Sequence, residues 1–201
     1  MSQMSLFSAA ARDPQLADLE GLLAGSGQMV RRADAARVSV VVTDAWRVTA
    51  LVAGLAALDV DAELDHASED RGPAGVTVRT PWLRALRSMA DDWTRGAVKV
   101  PPAGWALDGP RLRWWCIADG RPGAGMYTLM LGPNDEQAWA PVGAALAGAG
   151  IPGMLVGPRA DGPAYRIVGQ RRLSRLRELV GDVPAGASAA EWPAANYARG
   201  A

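Results

Sequence analysis

Apolar and polar positions along the chain run through the same pattern twice. In the first round residues 14–26 read as a helix, and "ARVSVVVTD" at 36–44 alternates as a strand does. "AWRVTALVAGLAAL" at 45–58 then has helical spacing, and "VDAEL" at 60–64 is short and apolar at alternate positions. In the second round a helix at 109–119, "MYTLMLG" at 126–132, the helical "NDEQAWAPVGAALAGAG" at 134–150 and "IPGMLVG" at 151–157 answer in the same order. The segment 72–93, "GPAGVTVRTPWLRALRSMADDW", then faces "GPAYRIVGQRRLSRLRELVGDV" at 162–183, with Leu83 and Leu86 aligning on Leu173 and Leu176 without a gap. A repeat of this length constrains the fold more than any local propensity. Each half is predicted as helix, strand or hairpin, helix, two strands, helix.

The predicted fold class is α/β (α+β), with two half-domains related by a pseudo-twofold axis and helices backing an antiparallel sheet in each. The repeats take residues 14–95 and 109–183. Around them lie an N-terminal extension at 1–13 and a linker at 96–108, whose "GAVKVPPAGWALD" is punctuated by glycine and proline. A small-residue tail at 184–201 is predicted to be flexible, with Trp192 as the residue able to dock.

The opening helices of the two halves carry the informative contrast. In "LEGLLAGSG" (19–27) Gly21 and Gly25 lie four apart and strip one helix face, so that another backbone can approach. In "LRWWCIADG" (112–120) Ala118 supplies a similar small site, but Trp114 stands where Gly21 stands, so the contact cannot be symmetric. Helices touching here bring Ser26 and Asp119 side by side. Taken singly, each stretch reads as a helix end with Gly27 or Gly120 as a left-handed cap.

Together the two stretches resemble the LAGLIDADG homing-endonuclease superfamily. The first keeps Leu19, Gly21, Leu22 and Gly27 of the nine-letter signature, and the second is similar to the variant Leu-x-x-Trp-x-x-x-Asp-Gly through Leu112, Trp115, Asp119 and Gly120. Gly96, Lys99, Val100 and Pro101 resemble the segment that precedes the second motif in that branch. The resemblance covers roughly residues 14–183. It implies a single chain, hence a monomer, with saddle-shaped sheets lying in DNA major grooves. It also implies interface helices in contact through Gly21, Gly25, Trp115 and Ala118. One acid per helix would serve divalent metal, usually Mg2+, at the scissile phosphates. Asp119 matches the acidic position, as catalytic residue and metal ligand. Ser26 occupies the other, marking a lost acid. Glu20 falls on the wrong helix face and Asp34 in a loop. Lys99, the only lysine, is either an aid near the phosphates or a solvated linker residue.

Composition bounds these readings. The 201 residues are 49% apolar and 21% charged, which describes a folded protein, and the 21 basic and 21 acidic side chains cancel. Attraction to DNA must therefore come from uneven placement of charge. One cysteine and one histidine exclude an intrachain disulfide and a Cys/His zinc cluster. The start "MSQMSLFSAAAR" does not read as a secretory signal, and no run reaches membrane-spanning length, so the chain reads as soluble and cytoplasmic.

On the strand at 36–44, Arg37 and Ser39 fall opposite a core face of Val38, Val40 and Val42. Arg31, Arg32 and Arg79 are grouped with them as DNA contacts. The second half offers Thr128, Arg159 and Arg166, the last on an undecided face. "QRRLSRLREL" (170–179) is an amphipathic helix with Leu173, Leu176 and Leu179 inward, or a second phosphate-binding element. Tryptophans 46, 82, 93, 115 and 139 are expected on helices in the core, His66 in a loop, and Cys116 buried. Three functions follow: a double-stranded DNA-binding protein whose cleavage is lost or reduced to nicking; an active Mg2+-dependent endonuclease; or a protein-interaction module with a protein partner.

Overall fold

The computed structural model describes residues 9, 12–66, 75–96, 98–159 and 162–194. The first repeat opens with a 3-10 turn, Leu16–Leu19, running into a short helix α1, Glu20–Ala24. A hairpin of β1 (Gln28–Arg32) and β2 (Ala35–Val42) follows, then helix α2 (Ala45–Ala56), β3 (Glu63–His66), β4 (Val76–Arg79) and helix α3 (Arg87–Trp93). A two-stranded ribbon, β5 (Thr94–Arg95) and β6 (Val98–Lys99), leads to α4 (Gly109–Asp119). The second repeat continues with β7 (Gly120–Gly123), β8 (Met126–Met130), α5 (Glu136–Gly148), β9 (Met154–Val156), β10 (Ala164–Val168) and α6 (Gln170–Val180). The four-stranded sheets have the orders β1-β2-β4-β3 and β7-β8-β10-β9, and every pairing is antiparallel. The second order is the first repeated, as the sequence pattern requires.

Local chemistry places the motif helices. Asp108 caps α4, accepting from the Arg111 amide at 3.0 Å, and Pro110 lies in the first turn, where a missing N–H costs nothing. In β2 the alternation holds: Ala36, Val38, Val40 and Val42 are buried, while Arg37 and Ser39 are only half covered. These side chains and Leu19, Leu22, Leu23, Leu112 and Trp115 belong to one core shared by the repeats. Trp115 also donates its indole N–H to the Met130 carbonyl at 2.8 Å.

Glycine is required at the helix contact for space. A Cβ on Gly21 would overlap the Arg111 carbonyl, and one on Gly25 would overlap Asp119 and the Trp115 ring. Trp114 lies against Gly54 of α2, so the two helices meet asymmetrically. Gly27 and Gly120 do not adopt the left-handed cap conformation; Gly120 is extended at φ −75° and ψ 138°. Their Cβ atoms would instead collide with the Leu22 carbonyl and the Tyr127 hydroxyl.

Other expectations need correction. The helix read over 14–26 is regular α-helix only over Glu20–Ala24, because the backbone breaks at Gly25 to lead into β1. Trp82 is on no helix, and His66 ends strand β3. The tail packs as far as Ala194: Trp192 is 1% exposed and donates to the Gly181 carbonyl at 3.0 Å, and the Arg113 guanidinium lies 5.3 Å from its ring centre. Residues 1–8 and 10–11 of the extension, 72–74 of the strand-helix segment and 195–201 of the tail lie outside the described residues.

Gly21→Ala should cost about 3 kcal/mol of unfolding free energy, the upper range of overpacking, because its new methyl meets backbone. Gly148→Ala, with open space around the added carbon, should leave stability unchanged or raise it by up to about 1 kcal/mol. Urea unfolding of the two variants checks both.

Candidate functional site

The C-terminal ends of α1 and α4 lie side by side, and the residues sequence reasoning paired do meet. Asp119 Oδ1 accepts from the Ser26 hydroxyl at 2.7 Å, and Oδ2 accepts from the Ser26 amide at 2.8 Å. Burial pushes the Asp119 carboxyl above its ordinary value, while both Ser26 bonds and the charges of Lys99 and Arg47 pull it down.

Lys99 is not a solvated linker residue. Ribbon β5–β6 carries it inward until it is 4% exposed. Its ammonium donates to the carbonyls of Gly25 (2.7 Å) and Gly27 (2.8 Å) and pairs with Asp135 at 2.9 Å. These three acceptors match the three donors of an ammonium group. Burial lowers its pKa, opposed by Asp135 and Asp119.

Arg47 on α2, which sequence reasoning missed, does the same for the other helix. Its guanidinium donates to the carbonyls of Ile117 (2.6 Å), Ala118 (3.1 Å) and Gly120 (2.5 Å), and to Asp44 at 2.7 Å. The carbonyls flanking Ser26 thus accept from Lys99, whose charge Asp135 pairs, and those flanking Asp119 accept from Arg47, whose charge Asp44 pairs. Asp44 and Asp135 each precede the second helix of their repeat, a signal present in "TDAW" and "NDEQAW". Glu20 points elsewhere, accepting from Trp105 (2.8 Å) and Arg111 (2.7 Å), and Asp34 pairs with exposed Arg84 at 2.7 Å.

Does this arrangement suit a divalent cation? Magnesium demands near-octahedral oxygen coordination and calcium six to eight oxygens. Here one carboxylate stands at the junction with both oxygens bonded to Ser26, and cations already occupy the carbonyls around it. No group of three or more His, Cys, Asp or Glu placed to hold a metal occurs among the described residues. The donor set does not fit.

The strand faces sort the remaining candidates. Gln28, Val30 and Arg32 of β1 share the outward face with Arg37 and Ser39 of β2 and Arg79 of β4. Arg31 does not: it lies across from buried Ala36 and pairs with Asp91 of α3 at 2.9 Å, so it belongs to the helix side. Arg37 stacks 4.5 Å from the centre of the Trp82 ring, with Arg32 at 5.9 Å. Strand β3 adds two outward acids: Arg79 pairs with Glu63 (3.0 Å) and Asp65 (3.6 Å).

In the second sheet Arg166 lies opposite Thr128 in register, which settles its face as outward, and Thr128 faces Arg121 on its other side. Arg159 is exposed in the turn after β9. Arg121 and Asp119 also line an open cleft of about 370 Å³ together with Asp44, Arg47 and Met130.

Asp119 sets a testable pH dependence. Its folded-state pKa lies above the ordinary carboxylate value, so its contribution to stability is full below roughly pH 4 and is lost as pH rises through the folded value. Asp119→Asn keeps an acceptor for the Ser26 amide and removes the titration. The difference in Tm between wild type and Asp119→Asn should therefore shift in favour of the variant as pH rises from 3 to 7 in thermal melts, whereas Asp119→Ala should be destabilised throughout.

No protein-family model and no curated protein matches this chain. Its fold is similar to that of a structure described as the homing endonuclease I-WcaI bound to its DNA recognition sequence, with a TM-score of 0.59 and 9% identity over 81% of this chain and 78% of that one. Looser likenesses join it to mesophilic variants of the homing endonuclease I-DmoI (TM-score 0.47, 12% identity, 82% of this chain and 93% of that one). The structure of I-DmoI in complex with DNA and Mn matches at TM-score 0.46 and 11% identity, covering 84% and 99%. With the repeated sheet order and the paired motif helices, the chain has the single-chain, two-repeat fold of the LAGLIDADG homing endonucleases.

Proposed function

We propose that this protein binds double-stranded DNA through the outward faces of its two sheets and does not cut both strands. The observation that carries the reading is the Ser26–Asp119 pair. Hydrolysis of two strands calls for two centres able to activate water and neutralise phosphate charge. The junction holds a single carboxylate, and a serine spends both its donors on it. Serine's neutral oxygen cannot replace the missing charge. Lys99 and Arg47, turned inward onto backbone carbonyls, support the junction and do not reach out to phosphates. The chain acts as a monomer, since both motif helices belong to it.

The placement of arginine supports DNA as the ligand despite the neutral total. Arg32, Arg37 and Arg79 stand on the first face and Arg121 and Arg166 on the second, with Arg159 at the margin of the second sheet. The surface is only modestly basic because Glu63 and Asp65 offset the first group. Among the described residues no helix is long and apolar enough to cross a membrane. The single thiol, Cys116, is fully buried, and burial pushes its pKa up to about 12. A chain without disulfides suits the cytoplasm, where we place it.

Two measurements test the reading. A duplex recovered by selection from a random library should bind with a log–log salt slope of roughly −3 to −5, about 0.9 per neutralised phosphate. Arg37→Ala with Arg79→Ala should lower both affinity and slope, and Arg171→Ala with Arg172→Ala should change neither. With Mg2+ or Mn2+ present, a plasmid carrying that site should not be linearised. Efficient linearisation abolished by Asp119→Asn would show an active endonuclease instead.

A further inference from the structure

Equivalent cavities lie against the second helix of each repeat, and only the first is lined by charged side chains. Counted from Asp44 and Asp135, which stand just before α2 and α5, the helix positions Ala50, Ala53 and Gly54 correspond to Pro141, Ala144 and Ala145. Each set of small residues lines an open cavity, of about 280 Å³ at α2 and about 500 Å³ at α5. The α5 cavity is completed by residues 101–107 and has no charged residue in its lining. The α2 cavity is completed by Trp114 and Ile117 of α4 and by Pro184 of the tail, and Asp18 and Arg113 line it as well.

The two charges are not in the same condition. Asp18 is 2% exposed and is neutralised by Arg12, and its Oδ2 also accepts from the Gln15 amide at 2.9 Å. Arg113 is within ion-pairing distance of no carboxylate among the described residues; Asp182, which acts on it from further off, pairs with Arg177 at 3.3 Å. One nitrogen, Nη1, donates to the carbonyls of Val180 (2.7 Å) and Asp182 (2.5 Å), and the Trp192 ring lies against the guanidinium. These contacts fix the plane of the fork and leave Nε and Nη2 without a hydrogen-bond acceptor among the described residues. Burial is the largest influence on Arg113 and lowers its pKa, which an anion alongside would reverse.

A half-buried arginine with free donors beside apolar walls matches an apolar body that carries one negative charge. Nε and Nη2 share an edge of the guanidinium and meet both oxygens of a carboxylate. A phosphate monoester carries nearly two charges at neutral pH, and one arginine would leave part of that charge unpaired against apolar walls. The volume lies at the lower end of the range for small-molecule sites, which suits a short chain or a single ring. We propose that the cavity between α2, α4 and the tail binds a small amphipathic carboxylate, its body against Ala53, Gly54 and Trp114 and its carboxylate on Arg113. The proposal is independent of the DNA-binding reading, and neither falls with the other.

Octanoate is the probe, titrated calorimetrically into the full chain below the concentration at which it forms micelles. Octanol and octylammonium serve as matched bodies with no charge and with the opposite charge. Octanoate should bind as a single equivalent with a dissociation constant on the order of 0.1 mM, and about tenfold or more tightly than either control, the worth of a hydrogen-bonded charge. Arg113→Gln should erase that preference while leaving octanol binding unchanged. Ala53→Leu, which fills the cavity from α2 and leaves Arg113 and Trp192 as they are, should abolish octanoate binding.

Arg113 also anchors the tail, so thermal melts without ligand establish that each variant is folded. Should Arg113→Gln fail to fold, the comparison of octanoate with octanol in the unaltered chain and the Ala53→Leu titration decide between them. The proposal is overturned if octanoate shows no saturable binding at millimolar concentrations, if octanol or octylammonium binds as tightly, or if Ala53→Leu binds octanoate as the unaltered chain does.

Discussion

Two helices end at the same place, and the molecule is organised around neutralising that meeting. Each helix terminus leaves carbonyls without intrahelical partners and carries the negative end of its dipole. Side by side in the interior, the ends of α1 and α4 repel, and Asp119 adds a full charge to the problem. Lys99 and Arg47 answer it, one cation for each end, each holding the carbonyls on both sides of the motif residue. Taking an ammonium out of water is costly, which is why burial draws the Lys99 pKa down. Asp135 and two short bonds to carbonyls offset that cost. The ribbon β5–β6 has a physical purpose in this light: it delivers the lysine.

The same constraint bears on the residue opposite Asp119. Two carboxylates facing each other in such a setting cannot both remain ionised unless something positive lies between them. A serine opposite an aspartate removes the conflict, since its hydroxyl and amide are donors and the carboxylate accepts both. On the proposed reading, stability at the interface is gained at the expense of the chemistry that a second acid would supply. On this reading the fold keeps its shape, and with it two exposed sheet faces, while the junction beneath them becomes a purely structural contact.

The two faces are less alike than the repeat suggests. Backbone order is duplicated strand for strand, yet acids stand among the outward arginines and valines of the first sheet, while the strands of the second carry arginines and methionines without an acid. Core positions must satisfy a packing problem common to both halves, so they stay similar in kind: Val38 and Val40 answer to Tyr127 and Leu129. Outward positions have no such obligation and are free to diverge.

Much of this was legible in the chain itself. Period-two alternation identified β2 and its buried face, helical spacing identified α2, α5 and α6, and the small residues at Gly21 and Gly25 foretold a close helix contact. The Ser26–Asp119 contrast was readable as soon as the two copies were aligned. These features are local, or repeat at a fixed interval, so sequence by itself determines them. Arg47 and Asp135 were not legible as partners: Arg47 acts on the carbonyls of Ile117, Ala118 and Gly120, 70 to 73 positions further on, and Asp135 pairs with Lys99 of a different element. The reach of Lys99 depended on a ribbon that proline and glycine disguised as linker. Arg31 and Arg32 are neighbours with the same side chain, and only strand register sends one to helix α3 and the other to the open face. Sequence determines which residues are able to share a face; tertiary structure alone decides what that face meets, because charge and hydrogen bonding act through space and not along the chain.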